Sequence, residues 1–500
     1  MYLYKIDSTD VKNMPMDSSD EIDLKVFTPS LHGFFLKGEK IGIKTVCIRL
    51  LFQVMTLGKA QIYYVQSGND IIHTSYVIPA CAKFPFMDRN DLEIVMDIIY
   101  LSSSCSDAKF NELREKGITR KLPQAQKYHC LLMEGIAQNL DGSLYAISAF
   151  PVNRQWTKQV FFAREKETIG RIQYIYDAFI NLPVLRQWTR IIQAKRDIRR
   201  IYRQNKDCAI ICDVLNQSLA NAARTSGKKY GIPVVGIVTD VPGHTSGARR
   251  KSYAFIRRKV AEFAEKNSAR NLEKYDAYLL LTEAMNSVVN KNGKPYIVLE
   301  GHCDSKMEQR ENNLSDKSQP KIAMYAGGIH KEFGIERLVN AFVRGGFSDW
   351  ELHIYGDGNY QKDLTELTKK IPNVKYHGVQ PNSVIVENQL KATLLLNPRL
   401  TDAEYVKYSF PSKTMECMAS GTPLCTTRLP GMPTEYYPYV YFFDDESEDG
   451  MLATLQDVLG KSEEAHHEFG KKAKEFVMTE KTNVKQAKKL LDFVSTVRMM

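Results

Sequence analysis

Short apolar stretches alternate with polar or amphipathic stretches along most of the chain, beginning near residue 97. The first set of predicted strands is 97–102, 143–150, 171–176, 208–214, 233–240 and 277–282. The stretches between them are long enough for helices. Short apolar strands separated by helices are typical of βαβ units, in which helices cover both faces of a parallel sheet. The pattern therefore predicts an α/β domain over residues 96–303.

One polar segment interrupts this alternation, which then starts again. Residues 304–320, DSKMEQRENNLSDKSQP, carry almost no apolar side chains and are predicted to form a linker. The second set of predicted strands is 322–327, 351–355, 373–377, 392–397, 423–427 and 439–443. We assign residues 321–480 to a second α/β domain and expect residues 447–497 to be helical, with a C-terminal helix at 481–500. The fold class is thus α/β, with two Rossmann-like, doubly wound parallel-sheet domains facing each other across a cleft.

The first 95 residues do not share this alternation and are predicted to form a small N-terminal α+β extension. They contain strand-like pieces such as QIYYVQS and IIHTSYVI. They resemble part of an acetyl-CoA-dependent N-acyltransferase domain, namely its opening half. The sequence shows no glycine-rich pyrophosphate loop of the kind that such a domain requires, so we expect no acyl transfer.

The positive charge of the chain is clustered. A net charge of +10 predicts an anionic partner, which could be a nucleic acid, a membrane surface or a phosphorylated substrate. The predicted helix 185–206 carries eight Arg or Lys residues and one Asp, and segment 249–259 adds six basic residues. A basic amphipathic helix with aromatic residues suits an anionic cytoplasmic leaflet, whereas the alternative is a packed helix with a solvated basic face. The candidate membrane or acceptor residues are Trp188, Arg199, Arg200, Arg203, Arg257 and Arg258.

The composition indicates in which cellular compartment the protein is found. No segment approaches the ~20 apolar residues that a membrane span needs, and the N-terminus lacks the apolar core of a secretory signal. The nine cysteines are scattered, without a C-x-x-C pair, which indicates reduced thiols and no zinc site. We expect a cytoplasmic protein with peripheral binding to the inner face of the plasma membrane. Without a recognised nucleic-acid motif, we expect no nucleic-acid partner.

Glycines follow the predicted strands of the second domain. In MYAGGIHKEFG, residues 324–334, two glycines lie between a strand and a helix start. Such a loop lets the backbone approach an anion, which the N–H groups of the helix would bind, and His330 and Lys331 add side-chain donors. The alternative is an ordinary βα loop with a solvated lysine. Gly356 and His377 follow the next two predicted strands at the same edge of the sheet.

The stretch FPSKTMECMASGTP, residues 410–423, predicts a short helix that begins near Pro411 and ends at Gly421. Met415, Met418 and Ala419 form its buried stripe. A helix N-terminus that carries Lys413 suits a diphosphate. One turn further, the Glu416 carboxylate can accept hydrogen bonds from adjacent hydroxyls, such as a ribose diol, so we expect it to face the cleft. The alternative is a Lys413–Glu416 surface pair worth about 0.3 kcal/mol.

The order of these pieces over residues 97–500 resembles the family-4 retaining glycosyltransferases of the GT-B fold, most strongly over 322–445. The resemblance implies a UDP- or GDP-sugar donor, with Glu416 on its ribose. Tyr408 stands where the family has a first glutamate near the sugar. Of the family's basic pair only Lys331 remains, so we expect Lys413 to supply the missing charge. The implied donor-binding residues are Gly327, Gly328, His330, Lys331, Gly356, His377, Phe410, Pro411, Ser412, Lys413 and Glu416.

The resemblance also implies a mechanism and an acceptor. Family members are thought to retain configuration by front-side attack without a metal, and this chain has no D-x-D triplet, so we expect no cofactor and no metal. The catalytic candidates are His244, Asp240 and Tyr408, the first two on the loop that follows predicted strand 233–240. In the family, the loop before predicted helix 122–138 lies near the donor phosphates, which singles out Gln124 and Ala125, and less strongly Lys127. The acceptor would be a glycan or a lipid-linked glycan in surface polysaccharide biosynthesis.

Two other functions stay open at this point. The same fold could carry a nucleotide-sugar epimerase or hydrolase, although the basic first domain argues against it. It could also be a non-catalytic nucleotide-sugar-binding subunit, because Tyr408 replaces the family's glutamate.

Overall fold

The computed structural model describes residues 60–65, 71–76, 96–119, 124–152, 156–241 and 271–499. The chain divides into two compact units, Met1–Leu92 and Glu93–Met500. In the first unit, strands β1 (Ala60–Val65) and β2 (Ile71–Tyr76) pair antiparallel, with Ala60 opposite Tyr76. The rest of the predicted N-terminal extension lies outside the described residues.

The second unit begins with an eight-stranded sheet. Its strands are β3 (Asp97–Ser102), β4 (Leu144–Ser148), β6 (Glu165–Ile169), β7 (Ile172–Tyr176), β9 (Cys208–Asp213), β10 (Val234–Val238), β11 (Ala277–Leu280) and β12 (Tyr296–Val298). The described helices of this half are α1 (Asp107–Glu115), α2 (Gln124–Asn139), α3 (Leu185–Gln204), α4 (Gln217–Tyr230) and α5 (Glu283–Val289). The strand order is β12-β11-β10-β9-β3-β4-β7-β6, and every pair is parallel except β6–β7. Two short strands, β5 (Phe161–Phe162) and β8 (Phe179–Ile180), form a separate antiparallel ribbon.

A six-stranded parallel sheet forms the second half of this unit. Its strands are β13 (Lys321–Ala326), β14 (Trp350–Tyr355), β15 (Val374–Tyr376), β16 (Leu394–Asn397), β17 (Leu424–Thr427) and β18 (Tyr441–Phe443). Its helices are α6 (Ile335–Gly345), α7 (Gln361–Thr368), α8 (Asn382–Lys391), α9 (Ser412–Ser420), α10 (Glu448–Leu459) and α11 (Glu463–Glu480). The strand order β15-β14-β13-β16-β17-β18 reverses direction beside β13. Ligands of doubly wound sheets bind at such a reversal, beyond the carboxyl ends of the strands.

The predicted α/β fold class with parallel sheets is confirmed, and all twelve predicted strands are present. Most of these strands carry buried apolar side chains, such as Ile99 in β3 and Leu395 in β16, which is why the sequence pattern predicted them. The strands that the sequence did not predict are β5, β6, β8 and β12. Strands β5, β8 and β12 have only two or three residues each, too few to form a recognisable pattern. The residues of β6 are mostly charged and exposed.

The last helix, α12 (Asn483–Met499), returns to the first half and packs on α2. Its buried residues Leu490, Leu491 and Val494 belong to the same apolar core as Ile99. The chain therefore crosses between the halves twice, and the crossings are hydrogen-bonded to each other. The Cys303 N–H donates to the Lys481 carbonyl at 3.0 Å, and the Asn483 N–H donates to the Cys303 carbonyl at 2.8 Å.

A buried ionic network lies beside these crossings. The Lys481 ammonium is 2.6 Å from Glu300 and 2.7 Å from Glu435, and the Tyr436 hydroxyl donates to Glu300 at 2.6 Å. Glu300 and Lys481 are both buried. A charge in such a place is tolerated only because its partners satisfy it, so the network fixes how the two crossings meet.

Segment 304–320, predicted as a linker, contains two 3₁₀ turns, Ser305–Gln309 and Leu314–Asp316. Hydrogen bonds fix it to the second half: Asn312 Nδ2 donates to the Ser420 carbonyl at 2.8 Å and to Thr422 Oγ1 at 2.9 Å. Its polar side chains therefore serve as anchors, which a count of apolar residues could not show. No helix among the described residues has the length and apolar character that crossing a bilayer requires.

Candidate functional site

A cavity of about 220 Å³ opens at the carboxyl edge of the second sheet, beside the strand-order reversal. Strands β13, β14 and β16 line it with Ala326, Tyr355 and Asn397. Helix α9 contributes Lys413, Glu416 and Cys417, and the remaining wall is Met324, Gly327, Gly356, Val379, Gln380, Asn382, Ile385, Gln389, Leu395 and Leu396. The lining thus combines apolar side chains with two charged ones, Lys413 and Glu416, as expected of a pocket that holds a flat ring and orients it with a few polar groups.

Backbone hydrogen bonds tie the strand ends that form the floor of this cavity. The Gly327 N–H donates to the Tyr355 carbonyl at 2.9 Å, and the Gly356 N–H donates to the Gly378 carbonyl at 2.8 Å. Gly356 has a φ of +131°, and a Cβ at this position would lie 1.7 Å from the Gly327 carbonyl oxygen. Only glycine fits here, so the glycine in YGDG allows the loops after β13 and β14 to meet.

Lys413 extends from the first turn of α9 to the glycine loop after β13. A Cβ at Gly327 would lie 2.3 Å from the Lys413 ammonium, so the lysine occupies the space that the glycine leaves. The ammonium also lies 5.8 Å from the centre of the Tyr325 ring. Burial lowers the pKa of Lys413 from its ordinary value, and the charge of Arg399 acts in the same direction. Lys413 has no ion pair among the described residues, so this partly buried cation has no fixed carboxylate partner of its own.

Glu416 lies one turn further along α9 and faces the cavity, as expected. It does not pair with Lys413, which was the alternative drawn from the sequence. Its Oε1 accepts a hydrogen bond at 2.7 Å from the ammonium of Lys127, which lies on α2 in the first half. The two side chains are 31% and 29% exposed. Because solvent screens it, this pair contributes about 1 kcal/mol or less, so a ligand can replace it at low cost.

The charge of Arg399 acts on both Lys413 and Asp240. Arg399 follows β16, and its guanidinium carbon lies 5.8 Å from the centre of the Phe333 ring and 5.5 Å from that of Tyr405. Its Nε is buried without a hydrogen-bond partner among the described residues. Asp240 follows β10 in the first half. The surrounding protein and the charge of Asp213 raise the pKa of Asp240, while Arg399 opposes the shift.

The structure brings four of the predicted donor-binding residues together around the cavity: Gly327, Gly356, Lys413 and Glu416. Gly328 adjoins it, and its carbonyl accepts a hydrogen bond from the Tyr325 hydroxyl at 2.7 Å. Pro411 caps the N-terminus of α9 and Ser412 is exposed on its first turn. No side chain caps this end of the helix, so the N–H groups of the first turn are open to a ligand.

His330 and Lys331 lie outside the cavity. The Lys331 ammonium is 2.8 Å from Glu336 and 2.8 Å from Asp363, and hydrogen bonds to Asp363 and Glu336 raise its pKa. His330 packs against the Phe333 ring, with centroids 5.2 Å apart. Both side chains therefore have partners on the outer side of the loop, which the sequence could not show because Asp363 is distant along the chain.

Three other candidates are buried or stacked. Phe410 packs on Tyr436 in an apolar core, with ring centroids 5.2 Å apart. Tyr408 is also buried, in the core of the first half and away from the cavity wall. A 3₁₀ turn, Glu404–Tyr408, points its ring inward, so Tyr408 does not take the place of the family's sugar-facing glutamate. His377 stacks on Tyr355 at 4.5 Å, and burial together with His353 and Lys375 lowers its pKa, so it is neutral at pH 7.

Sequence reasoning missed Arg399 and most of the apolar wall, including Val379 and Ile385. The rule that ligands bind beyond parallel strands could have found Arg399, because it lies two residues after β16. The apolar wall lies on α8 and the loop before it, where no distinctive pattern marks it. Lys127 was considered only for the phosphates, whereas the structure places it on Glu416.

Of the predicted membrane residues, Trp188, Arg199, Arg200 and Arg203 are exposed on α3. His244, Arg257 and Arg258 lie outside the described residues. Within the described part of the chain, no group of three or more His, Cys, Asp or Glu side chains is placed to hold a metal ion. Metal independence stays a prediction.

Comparison with known proteins identifies the second half. Residues 305–476 match the family of glycosyl transferases group 1. This match confirms that the chain is a glycosyltransferase, as predicted. No curated protein matches the chain.

Solved structures confirm the predicted GT-B fold. A sucrose-phosphate synthase from Thermosynechococcus elongatus is 12% identical with a TM-score of 0.54, and the match covers 80% of this chain and 99% of that one. An α,α-trehalose 6-phosphate synthase from Burkholderia multivorans is 9% identical with a TM-score of 0.54, covering 81% and 97%. An Anabaena HepE structure in complex with UDP-glucose is 10% identical with a TM-score of 0.51, covering 80% and 100%.

Proposed function

We propose that the chain transfers a sugar from a nucleoside-diphosphate donor to a glycan or lipid-linked acceptor, because residues 305–476 match the family of glycosyl transferases group 1. The observation that carries the proposal is the cavity in which Lys413 and Glu416 face the same space. The nucleobase lies against the wall around Val379 and Ile385, the ribose diol on Glu416, and the diphosphate beside Lys413. The Anabaena protein of similar fold that holds UDP-glucose supports a uridine nucleotide as the first donor to test, with a guanosine nucleotide as the alternative.

The chemistry follows from where the positive charge lies. As the bond between the sugar and the diphosphate breaks, negative charge develops on the leaving phosphate. The Lys413 ammonium and the open N–H groups of α9 are already in place to stabilise it. Arg399 lies close enough to act electrostatically on Lys413 and adds a second cation. The acceptor hydroxyl attacks from the face of the leaving group and gives its proton to the departing phosphate, so configuration is retained.

The first half supplies the acceptor side. Asp240 follows β10 there, close enough to Arg399 to feel its charge, and its carboxylate can accept a hydrogen bond from an acceptor hydroxyl. We assign the acceptor to a lipid carrier of surface polysaccharide biosynthesis, used at the anionic inner face of the plasma membrane. The support is the row of exposed arginines on α3, Arg196, Arg199, Arg200 and Arg203.

A donor panel tests the proposed transfer. The purified protein is incubated with radiolabelled UDP- and GDP-sugars, with and without membrane extract. We expect one nucleotide sugar to pass its label to a lipid-extractable product only when extract is present. Epimerised or hydrolysed donor without extract would point to the enzyme alternative, and binding without any product would point to a non-catalytic subunit.

Charge reversal tests the membrane part. Arg199→Glu, Arg200→Glu and Arg203→Glu together should release the protein from vesicles of phosphatidylglycerol and phosphatidylcholine, because each basic residue near such a surface contributes about 1 kcal/mol. Co-sedimentation measures the bound fraction. The control reverses Lys369, Lys370 and Lys391, which belong to the second half. Equal release by both variants, or by neither, would contradict a specific basic face.

A further inference from the structure

The largest group of exposed apolar side chains on the described residues lies at one end of α3. We call Val160, Phe161, Val184, Leu185, Trp188 and Ile192 the apolar tip; each is at least 44% exposed, and Val184 reaches 70%. Three of them, Leu185, Trp188 and Ile192, follow each other at helical spacing on the outer face of α3. An exposed patch of this kind on a protein surface marks an interaction site.

The tip stands on a rigid base. Phe161 pairs with Ile180 in the β5–β8 ribbon, and the Asn181 N–H donates to the Val160 carbonyl at 2.6 Å. Beneath the ribbon, Phe162 and Phe179 stack with ring centroids 4.7 Å apart. The buried Arg190 guanidinium lies 4.0 Å from the Phe179 ring centre and donates to the Phe150 carbonyl at 3.2 Å. The apolar side chains are thus held outward by packed neighbours.

Val184 adds backbone strain at the same place. It is the one non-glycine residue with positive φ in the described part of the chain, at +67°. That conformation is costly for a β-branched residue and persists where the surrounding structure imposes it, most often at functional sites. Here it turns the chain sharply into α3 and leaves both Val184 and Leu185 facing solvent.

The outer face of α3 changes character along its length. After Leu185, Trp188 and Ile192, the same face continues as Arg196, Arg199 and Arg203, all exposed. The buried face, with Ala194, Ile198 and Ile201, lies on the opposite side of the helix. A surface that joins aromatic and aliphatic residues to a row of arginines is complementary to an anionic bilayer, whose headgroups attract the arginines and whose interface accepts Trp.

We propose that the apolar tip inserts into the hydrocarbon boundary of an anionic bilayer while the arginine row binds the headgroups. Both β8 and the start of α3 follow the carboxyl end of β7, so the tip lies at the same sheet edge as Asp240, which follows β10. The inserted protein therefore turns the edge that carries its acceptor side toward the lipid. This inference rests on the proposed lipid-linked acceptor, but its test needs neither donor nor acceptor, so each proposal can fail alone.

Fluorescence of Trp188 gives the direct test. A Trp156→Phe, Trp350→Phe variant keeps Trp188 alone, and a Trp156→Phe, Trp188→Phe variant keeps the buried Trp350 as its matched control. We expect vesicles of equal parts phosphatidylglycerol and lipid brominated on the upper acyl chain to quench Trp188 and leave Trp350 unchanged. Bound protein with unquenched Trp188 would overturn the proposal, as would equal quenching of both.

Single substitutions give the second arm. Phe161→Ser, Leu185→Ser and Trp188→Ser should each lower the vesicle partition coefficient about tenfold, equivalent to about 1.4 kcal/mol. Ile169→Ser is the control, because Ile169 and Leu185 are each 45% exposed and Ile169 lies at the opposite edge of the sheet. At high salt, which screens the arginines, the wild type should keep residual binding that Trp188→Ser loses. Equal partition of tip and control variants would overturn the proposal, and so would a tip that instead holds two copies of the chain together in sedimentation experiments without vesicles.

Discussion

Replacing Glu416 by Gln is expected to weaken binding of the nucleoside diphosphate by roughly 30- to 1000-fold, or about 2–4 kcal/mol, because hydrogen bonds to a charged acceptor are the strong ones. The carboxylate faces the cavity, and its ion pair with Lys127 is weak enough for ribose hydroxyls to replace. Calorimetric titration with uridine diphosphate and guanosine diphosphate measures the effect.

The substitution keeps the size of the side chain and removes only its charge, so the fold should survive. Glu404→Gln is the matched control, since Glu404 is an exposed carboxylate paired with Lys407 at 3.3 Å outside the cavity. Affinity that stays near the wild-type value in Glu416→Gln would rule out the assigned contact with the ribose.

Replacing Lys413 by Met is expected to lower the turnover number by roughly 100- to 1000-fold, the usual cost of losing one preorganised group that stabilises charge in the transition state. The stem of methionine can fill the space over Gly327 while the charge disappears. Steady-state kinetics on the donor identified by the panel measures the effect. Lys331→Met is the informative control, because Lys331 is exposed and already paired with Glu336 and Asp363, and it should change turnover by no more than about threefold. If Lys331→Met lowered turnover more than Lys413→Met, the diphosphate would instead bind on the outer side of the glycine loop, beside Lys331.

The lowered pKa of Lys413 gives the same assignment a pH signature. Donor affinity should be constant while the ammonium is charged and should fall as pH rises through the lowered pKa, at a lower pH than an ordinary lysine would produce. Stability changes in the opposite sense. Since the unfolded chain binds a proton more tightly than the folded chain at this site, the burial cost of Lys413 is relieved as pH rises through that range. Lys413→Met should remove both effects.

Much of the fold could be predicted from the sequence because its strands are buried on both faces. A central strand such as β9 is an apolar run from Cys208 to Cys212, and its neighbours have similar apolar runs. The exposed edge strand Glu165–Ile169 gives no such signal, and the ribbon under the apolar tip is only two residues long on each side. These elements form through contacts with distant residues, which local pattern does not record.

The residues of the candidate site also differ in whether the sequence could predict them. The positions of Lys413 and Glu416 could be predicted because Pro411 and Gly421 cap the helix that carries them, so their faces follow from their spacing. Lys331 was an equally suitable candidate for binding the diphosphate, but its ion pairs with Asp363 and Glu336 hold it outside the cavity. The spacing of residues along the chain does not predict these ion pairs. The pairing of Lys127 with Glu416 joins residues 289 positions apart. Only the three-dimensional structure reveals such a contact.

The most direct measurement of the central claim is a crystal structure of the protein soaked with uridine diphosphate. The account predicts density for the diphosphate beside the Lys413 ammonium at the start of α9, with both ribose hydroxyls on the Glu416 carboxylate and the Lys127 contact displaced or shared. A nucleotide bound away from this cavity, or with its ribose turned from Glu416, would contradict it.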